Sequence, residues 1–422
     1  MTQYVNIYTF TIGSFFFLKI LKGLRAKQMT IWSLFAVLFY VFQFVPLIGE
    51  ILYYGEDLNF SAINIIKALS DPLVAIVYDV IIIVVIWYLY YRSRRADKYF
   101  NLYFNRLKHF KSNYAIKIVS IFFMVFPLIL ALLSPHPEIY LKWAYSYTHD
   151  LSIEEEIFHD NIMVPSLQIS TFSFALYYSQ KNKKRWFAYL MMFVLTWLSF
   201  KRTDLVFMSF IVLGLDYVSG SYNEKISKLW KKSLILFTIC VCYFIAYSNY
   251  TGKGKDSDSY ASYTMYYARN YCVKTAIYDQ LNGNKMLDYR GQTILFDFFF
   301  YVPRSYWNDK PAMYSKYSTA FSQGRMGYDA TTNYYVNIWA EYISNFYFFG
   351  VILAFVFIHI FLRISERSNN LFVYLMGVVF LSFYFFWGVQ PFTMLMIGMW
   401  ATGLLYSKMK STKAKRVTST TL

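Results

Sequence analysis

Charged residues are scarce in this chain, and their scarcity excludes most soluble folds. Only 15% of the 422 residues are charged, whereas 57% are hydrophobic and 22% are aromatic. A soluble domain of this size has too little polar surface to cover so much apolar material, and runs of about 15 to 25 apolar residues recur along the chain. The composition therefore predicts an all-α polytopic membrane protein with the lipid bilayer as a partner, since spanning helices satisfy their own backbone hydrogen bonds.

Cysteine and histidine are also rare, with three and five residues respectively. Cys240 and Cys242 lie two apart in one apolar helix and so point to different faces, and Cys272 has no obvious partner. The histidines outside the apolar runs lack metal-ligand spacing. These absences exclude a disulfide framework and a zinc motif, and we expect no metal and no cofactor.

Positive charge is abundant, but its placement argues against a nucleic-acid partner. The formal net charge is +17, and about 26 of the 41 Lys and Arg residues fall in every second linker between apolar runs. The positive-inside rule then places the N-terminus in the periplasm and the C-terminus in the cytoplasm, which requires an odd number of spans. We expect the protein in the bacterial inner membrane.

About eleven candidate spans, each near the length needed to cross a hydrocarbon core of roughly 30 Å, agree with that requirement. They run approximately over 4–18, 31–53, 73–91, 116–133, 162–178, 186–200, 205–218, 234–247, 336–361, 371–387 and 392–406. The sequence thus divides into an N-terminal helix bundle of about eight spans at 1–249, one large periplasmic loop with short helices at 250–335, about three C-terminal spans at 336–407, and a basic cytoplasmic tail at 408–422.

The large loop is rich in tyrosine and carries four arginines that are candidate substrate contacts: Arg269, Arg290, Arg304 and Arg325. The predicted topology places this loop on the periplasmic side of the membrane, where there is no ATP and no nucleotide sugar. Guanidinium and phenol groups there indicate a substrate that is anionic at one end and sugar-like at the other. Solvated surface charge is the alternative. Tyr263 to Leu281 predicts an amphipathic helix that ends at Gly283 and carries Arg269 on the same side as Tyr266.

Two charged groups near or within apolar runs have both a functional and a structural interpretation. Lys201-Arg202-Thr203-Asp204 joins two spans at the outer rim, where it is either an interfacial anchor or a clamp for a lipid-linked pyrophosphate. Asp79 lies inside a span, where an ionised group is costly and therefore suggests a function. The alternative is structural, because a buried Tyr or Trp partner would account for Asp79 without any function.

Three short motifs resemble those of the Wzy-type O-antigen polymerases and the related O-antigen ligases. The helix–KRTD–helix step resembles their S-x-S-R-T hairpin, although Lys201 stands where a serine is common. Pro303-Arg304, followed by Trp307 and Lys310-Pro311, resembles an element of their long loop. Glu341-Tyr342-x-x-Asn345-Phe346 before Gly350 is similar to their E-x-Y-x-N-F-G-x-x-G helix entry, with Phe348-Phe349 intervening.

The resemblance implies a GT-C-like helical fold and a metal-independent glycosyltransferase at the periplasmic face. Such an enzyme moves a growing glycan from undecaprenyl pyrophosphate onto the next lipid-linked repeat unit, so both donor and acceptor are lipid-linked, with a chain-length regulator protein as a further partner. It also implies pyrophosphate or substrate contacts at the hairpin and loop cations, and a base that takes the acceptor hydroxyl proton. Asp329, Glu341 and Asp204 are the candidate bases, left unranked.

Two other functions remain open on the sequence alone. An O-antigen ligase would share the fold and the donor, but the resemblance implies a histidine in the large loop, and 250–335 has none. A flippase or other transporter would bury charges along a central path, whereas charge here collects at the outer rim. We therefore expect a repeat-unit polymerase.

Overall fold

The computed structural model describes most of the apolar runs and much of the large loop. The described residues are 2–25, 30–53, 62–95, 114–141, 158–180, 183–199, 202–218, 226–251, 264, 268, 270–283, 285–328, 336–368, 373–374, 376–377, 397–398 and 400–405.

Every regular element within these ranges is helical, and the described residues contain no strand. In chain order the helices are α1 (Thr2–Arg25), α2 (Ile31–Leu52, with a π-helical turn at Tyr40–Phe44), α3 (Ile63–Ser70), α4 (Pro72–Arg95), α5 (Tyr114–Leu132), α6 (Pro137–Leu141), α7 (Val164–Tyr178), α8 (Arg185–Ser199), α9 (Arg202–Val218), α10 (Ile226–Thr251), α11 (Asn270–Leu281), α12 (Gln292–Phe299), α13 (Tyr314–Ser322), α14 (Ile338–Phe346) and α15 (Phe349–Arg367).

Five helices of the described chain are long and apolar enough to cross a bilayer, which makes this a helical membrane protein. They contain Gln3–Gly23, Ile31–Leu52, Pro72–Arg94, Tyr114–Leu132 and Phe349–Arg367. The predicted spans between residues 162 and 247 coincide with shorter helices or with helices in which some side chains are undescribed, and those after residue 370 lie mainly outside the described ranges. The total of eleven spans stays a prediction.

The chain divides into two compact units. One comprises Met1–Phe100 and Ser257–Leu422, and the other comprises Asn101–Asp256. In the second unit α5 packs along α7, and α8 packs on both. In the first unit α1 packs along α4, and α2 is the most enclosed of the five candidate spans.

The loop helix α11 is a core element of the first unit. It packs on α3, α4 and α14, and nearly every side chain from Asn270 to Ile277 is buried. The predicted amphipathic helix is therefore enclosed on almost all sides. Its end agrees with the prediction, because Gly283 has φ +104°, a left-handed conformation that glycine adopts without steric cost.

The predicted span over 336–361 is two helices. α14 ends at Tyr347, whose φ of +54° and ψ of −156° lie in a region that is almost reserved for glycine. The span proper begins at Phe349. Helix α15 then turns back so closely on α14 that a Cβ at Gly350 would lie 1.9 Å from the carbonyl oxygen of Tyr342. Glycine is thus required at position 350 by the close approach of the two backbones.

Candidate functional site

The predicted contact residues are distributed over both units, and several lie outside the described residues. Lys201, Tyr266, Arg269 and Asp329 are among the undescribed residues, and Arg202 begins α9 with a side chain that is also undescribed. Asp204 is buried in the first turn of α9, in the second unit. Arg290, Arg304, Arg325 and Glu341 are described in the first unit.

Glu341 forms a carboxyl pair with Asp297 between α12 and α14. Glu341 is 0% exposed and Asp297 is 1% exposed. The hydroxyl of Thr293 donates to Glu341 Oε1 at 2.8 Å, and the Asn345 amide donates to Thr293 Oγ1 at 2.8 Å. No N–H or hydroxyl of a described residue donates to either Asp297 oxygen or to Glu341 Oε2. The carboxyl groups of the two acids lie within hydrogen-bonding reach of each other.

Two adjacent buried carboxyls cannot both ionise at low cost, so the pair retains a proton. Burial raises the pKa of Glu341 to about 8. Burial, together with the charge of Glu341, raises the pKa of Asp297 well above its ordinary value. With one proton between them, one acid donates to the other, and this bond fastens α12 to α14.

Arg290 lies just before α12 and contacts the end of α14. Its guanidinium lies over the ring of Tyr347, and Nη2 donates to Gln280 Oε1 at 3.3 Å. Nη1 is buried and has no partner in the described part of the chain. An unpartnered guanidinium N–H beside an aromatic ring is suited to bind an anionic oxygen.

Arg304 has a structural role instead. Its two terminal nitrogens donate to the carbonyl oxygens of Lys310 at 2.7 Å and Pro311 at 3.4 Å. The ammonium of Lys310 in turn donates to the carbonyls of Phe300 and Val302 at 2.5 and 2.8 Å. These four hydrogen bonds stabilise the turn from Pro303 to Pro311. They give the arginine and the lysine that stand next to the two prolines a structural role.

Arg325 lies in a turn whose glycines, Gly324 and Gly327, both have φ of +76°. The backbone N–H of Arg325 donates to Ala320 O at 2.8 Å and so caps α13, while its side chain is exposed. Among the three described arginines of the large loop, Arg290 and Arg325 are accordingly the two whose guanidinium groups are not committed to backbone carbonyls.

A second buried network, which the sequence did not predict, joins the loop helix α11 to the membrane helices. Lys274, 0% exposed, donates to Glu50 Oε2 at 2.5 Å. Asn270 of α11 and Asn6 of α1 donate to the Glu50 carboxylate at 2.6 and 2.9 Å. Asp79 accepts from Thr9 at 2.7 Å and lies near the charge of Lys274, so its described partners are a threonine and a lysine and not a tyrosine or tryptophan.

The second unit holds an apolar cavity of about 410 Å³. Leu128, Pro137, Phe193 and Trp197 are among the residues that line it, and the polar surface is negligible. Without polar groups to orient a sugar or an anion, this cavity is not a candidate for the chemistry.

No family model, curated protein or solved structure matches this chain. The family expectation therefore continues to depend on the sequence motifs, and the site is judged on its own geometry.

Proposed function

We propose that the protein is a polymerase of lipid-linked oligosaccharide repeat units, acting at the periplasmic face. The acceptor hydroxyl attacks C1 of the donor sugar, the bond from C1 to the pyrophosphate oxygen breaks, and the lipid pyrophosphate leaves with the electron pair. A carboxylate takes the hydroxyl proton. The anionic leaving group needs cationic hydrogen-bond donors, which arginine provides without a metal.

One observation carries the proposal. Arg290, a predicted anion contact, lies just before α12 with its guanidinium over Tyr347 at the end of α14, and Glu341, a predicted acid in the same reaction, lies within α14. Arg290 keeps a buried N–H without a partner, which supports its assignment as the described anion contact. Arg325 is exposed and is a second candidate contact.

Glu341 is assigned a positioning role because its carboxyl is fully buried and is not open to an acceptor. The bond between Glu341 and Asp297 holds α12, and with it Arg290, against α14. Asp204 is also buried, so Asp329 is the preferred candidate for the proton acceptor. Arg202, Lys201, Arg269 and Tyr266 keep their proposed roles as donor and acceptor contacts.

Loss of the gene tests the function directly, through the surface lipopolysaccharide of the bacterium on a gel. We expect lipid A–core that carries a single repeat unit and no ladder, because ligation of one unit proceeds without polymerisation. Loss of all O-antigen would instead support a ligase or a flippase, and a normal ladder would exclude all three.

Complementation of that deletion strain tests the site. Arg290→Ala should abolish the ladder at unchanged protein level, and Arg290→Lys should restore it only in part, because an ammonium cannot reproduce the planar fork of a guanidinium. Lys285→Ala, which removes an exposed cation from the same segment, is the matched control and should give a normal ladder. A normal ladder in Arg290→Ala would remove this arginine from the site.

A further inference from the structure

Helix α12 has its polar and apolar faces reversed relative to a helix of a water-soluble protein. Gln292, Thr293 and Asp297 are buried, at 0%, 0% and 1% exposure. The opposite face presents Leu295, Phe298 and Phe299, which are 43%, 58% and 44% exposed. Exposed large apolar side chains opposite a buried polar face are costly in water and favourable in lipid.

The length of α12 limits how it meets a bilayer. Eight residues extend about 12 Å, less than half of a hydrocarbon core. A helix of this length can lie within one leaflet but cannot cross the bilayer. Protein groups bind carbonyls at its C-terminal end, since Phe299 O accepts from Val302 N at 3.0 Å and Phe300 O accepts from Lys310 Nζ at 2.5 Å.

The apolar face continues in both directions along the first unit. Tyr301 follows it, with 67% exposure. Helix α14, on which α12 packs, leads into the candidate span α15, whose Phe349 and Ile352 are 59% and 55% exposed. Arg290 and Arg304 flank the α12 segment in the sequence, on either side of its apolar residues.

We propose that the Leu295–Phe298–Phe299 face of α12 is a membrane-docking surface, seated in the acyl chains of one phospholipid leaflet. On the proposed topology this is the outer leaflet. The docking does not depend on the proposed function, because it follows from the polarity of the two faces and from the length of the helix.

The test is fluorescence quenching in proteoliposomes of brominated phosphatidylcholine. In a background with Cys240, Cys242 and Cys272 replaced by alanine, a fluorophore is placed at Phe298→Cys. Ile352→Cys on α15 is the lipid-facing control, and Met326→Cys, at 73% exposure in the turn between Gly324 and Gly327, is the aqueous control. Each sample is also titrated with iodide in the water phase.

We expect the label at position 298 to follow position 352. Brominated lipid should quench it severalfold more than unmodified lipid does, and iodide should have little effect. Quenching by iodide to the level of position 326, without quenching by lipid, would overturn the proposal. If Phe298→Cys fails to fold, the fluorophore is placed at Leu295→Cys, on the same face, and the same quenching is expected. Neither measurement requires polymerase activity.

Discussion

Two loop helices of the first unit are fastened to their neighbours by opposite electrostatic means. Helix α11 uses an ion pair between Lys274 and Glu50, whereas α12 uses two acids, Asp297 and Glu341, that share a proton. The ion pair joins groups of opposite charge. The acid pair is attractive only while a proton is retained, because two carboxylates repel each other. The loop thus has one attachment between opposite charges and one that depends on a retained proton.

Removal of one partner of the ion pair should have the largest effect. Lys274→Met leaves the Glu50 carboxylate buried without a counter-charge, and we expect a loss of about 3–5 kcal/mol in the free energy of unfolding. Lys285→Met, at an exposed position shortly after the same helix, should change stability by less than about 0.5 kcal/mol. Thermal unfolding in detergent measures both.

A double variant sharpens this result. Glu50→Gln combined with Lys274→Met removes both charges and should recover most of the lost stability. Equal losses in the single and the double variant would show that packing, and not charge pairing, fastens α11.

The acid pair should make stability depend on pH with a defined sign. Glu341 has a raised pKa of about 8 in the folded protein, so between about pH 4.5 and 8 the folded state holds a proton that the unfolded state has released. Its contribution to stability is therefore full below about pH 4.5 and is lost progressively as the pH rises toward about 8.

Glu341→Gln isolates that contribution, because glutamine donates to Asp297 without titrating. Melting temperatures from pH 5 to pH 8 should fall more steeply for the unsubstituted protein than for the variant. Asp309→Asn, which removes an exposed acid from the same loop, should follow the unsubstituted protein. Parallel curves for the unsubstituted protein and Glu341→Gln would mean that Glu341 holds no extra proton in the folded state.

The smallest effect concerns Gly350, at the start of α15, where the helix approaches α14. Gly350→Ala places a methyl group against the Tyr342 carbonyl and should destabilise the protein by about 1–3 kcal/mol. Gly398→Ala, where a Cβ meets nothing within 4 Å, should be neutral or stabilise by about 0.5–1 kcal/mol. Similar changes at both positions would contradict the close packing of α14 on α15.

The sequence predicted the elements that depend on local pattern. Four of the five candidate spans begin and end within a few residues of the expected positions, because an apolar run and its basic flanks are contiguous in the chain. The turn at Gly283 also follows from a local signal. The break at Tyr347 was missed because neither glycine nor proline marks it.

Contacts between distant residues were beyond sequence reasoning. Glu50 and Lys274 are 224 positions apart, and nothing in the sequence pairs them. Asp297 was overlooked because it lies in the run Leu-Phe-Asp-Phe-Phe-Phe, which resembles a plain apolar segment. A single acid within such a run, four residues after Thr293 on the same helix face, was the available signal. Glu341 was found because it belongs to a motif.

Tyr347 and Gln280 hold the side chain of Arg290 from two different elements. The Gln280 side chain, near the end of α11, accepts from Nη2, and the ring of Tyr347, at the end of α14, lies against the guanidinium. Tyr347 provides its contact from a backbone conformation that is strained for any residue except glycine. Glycine at position 347 would relieve that strain and remove the ring, so the strain at the end of α14 is the cost of keeping an aromatic side chain against Arg290.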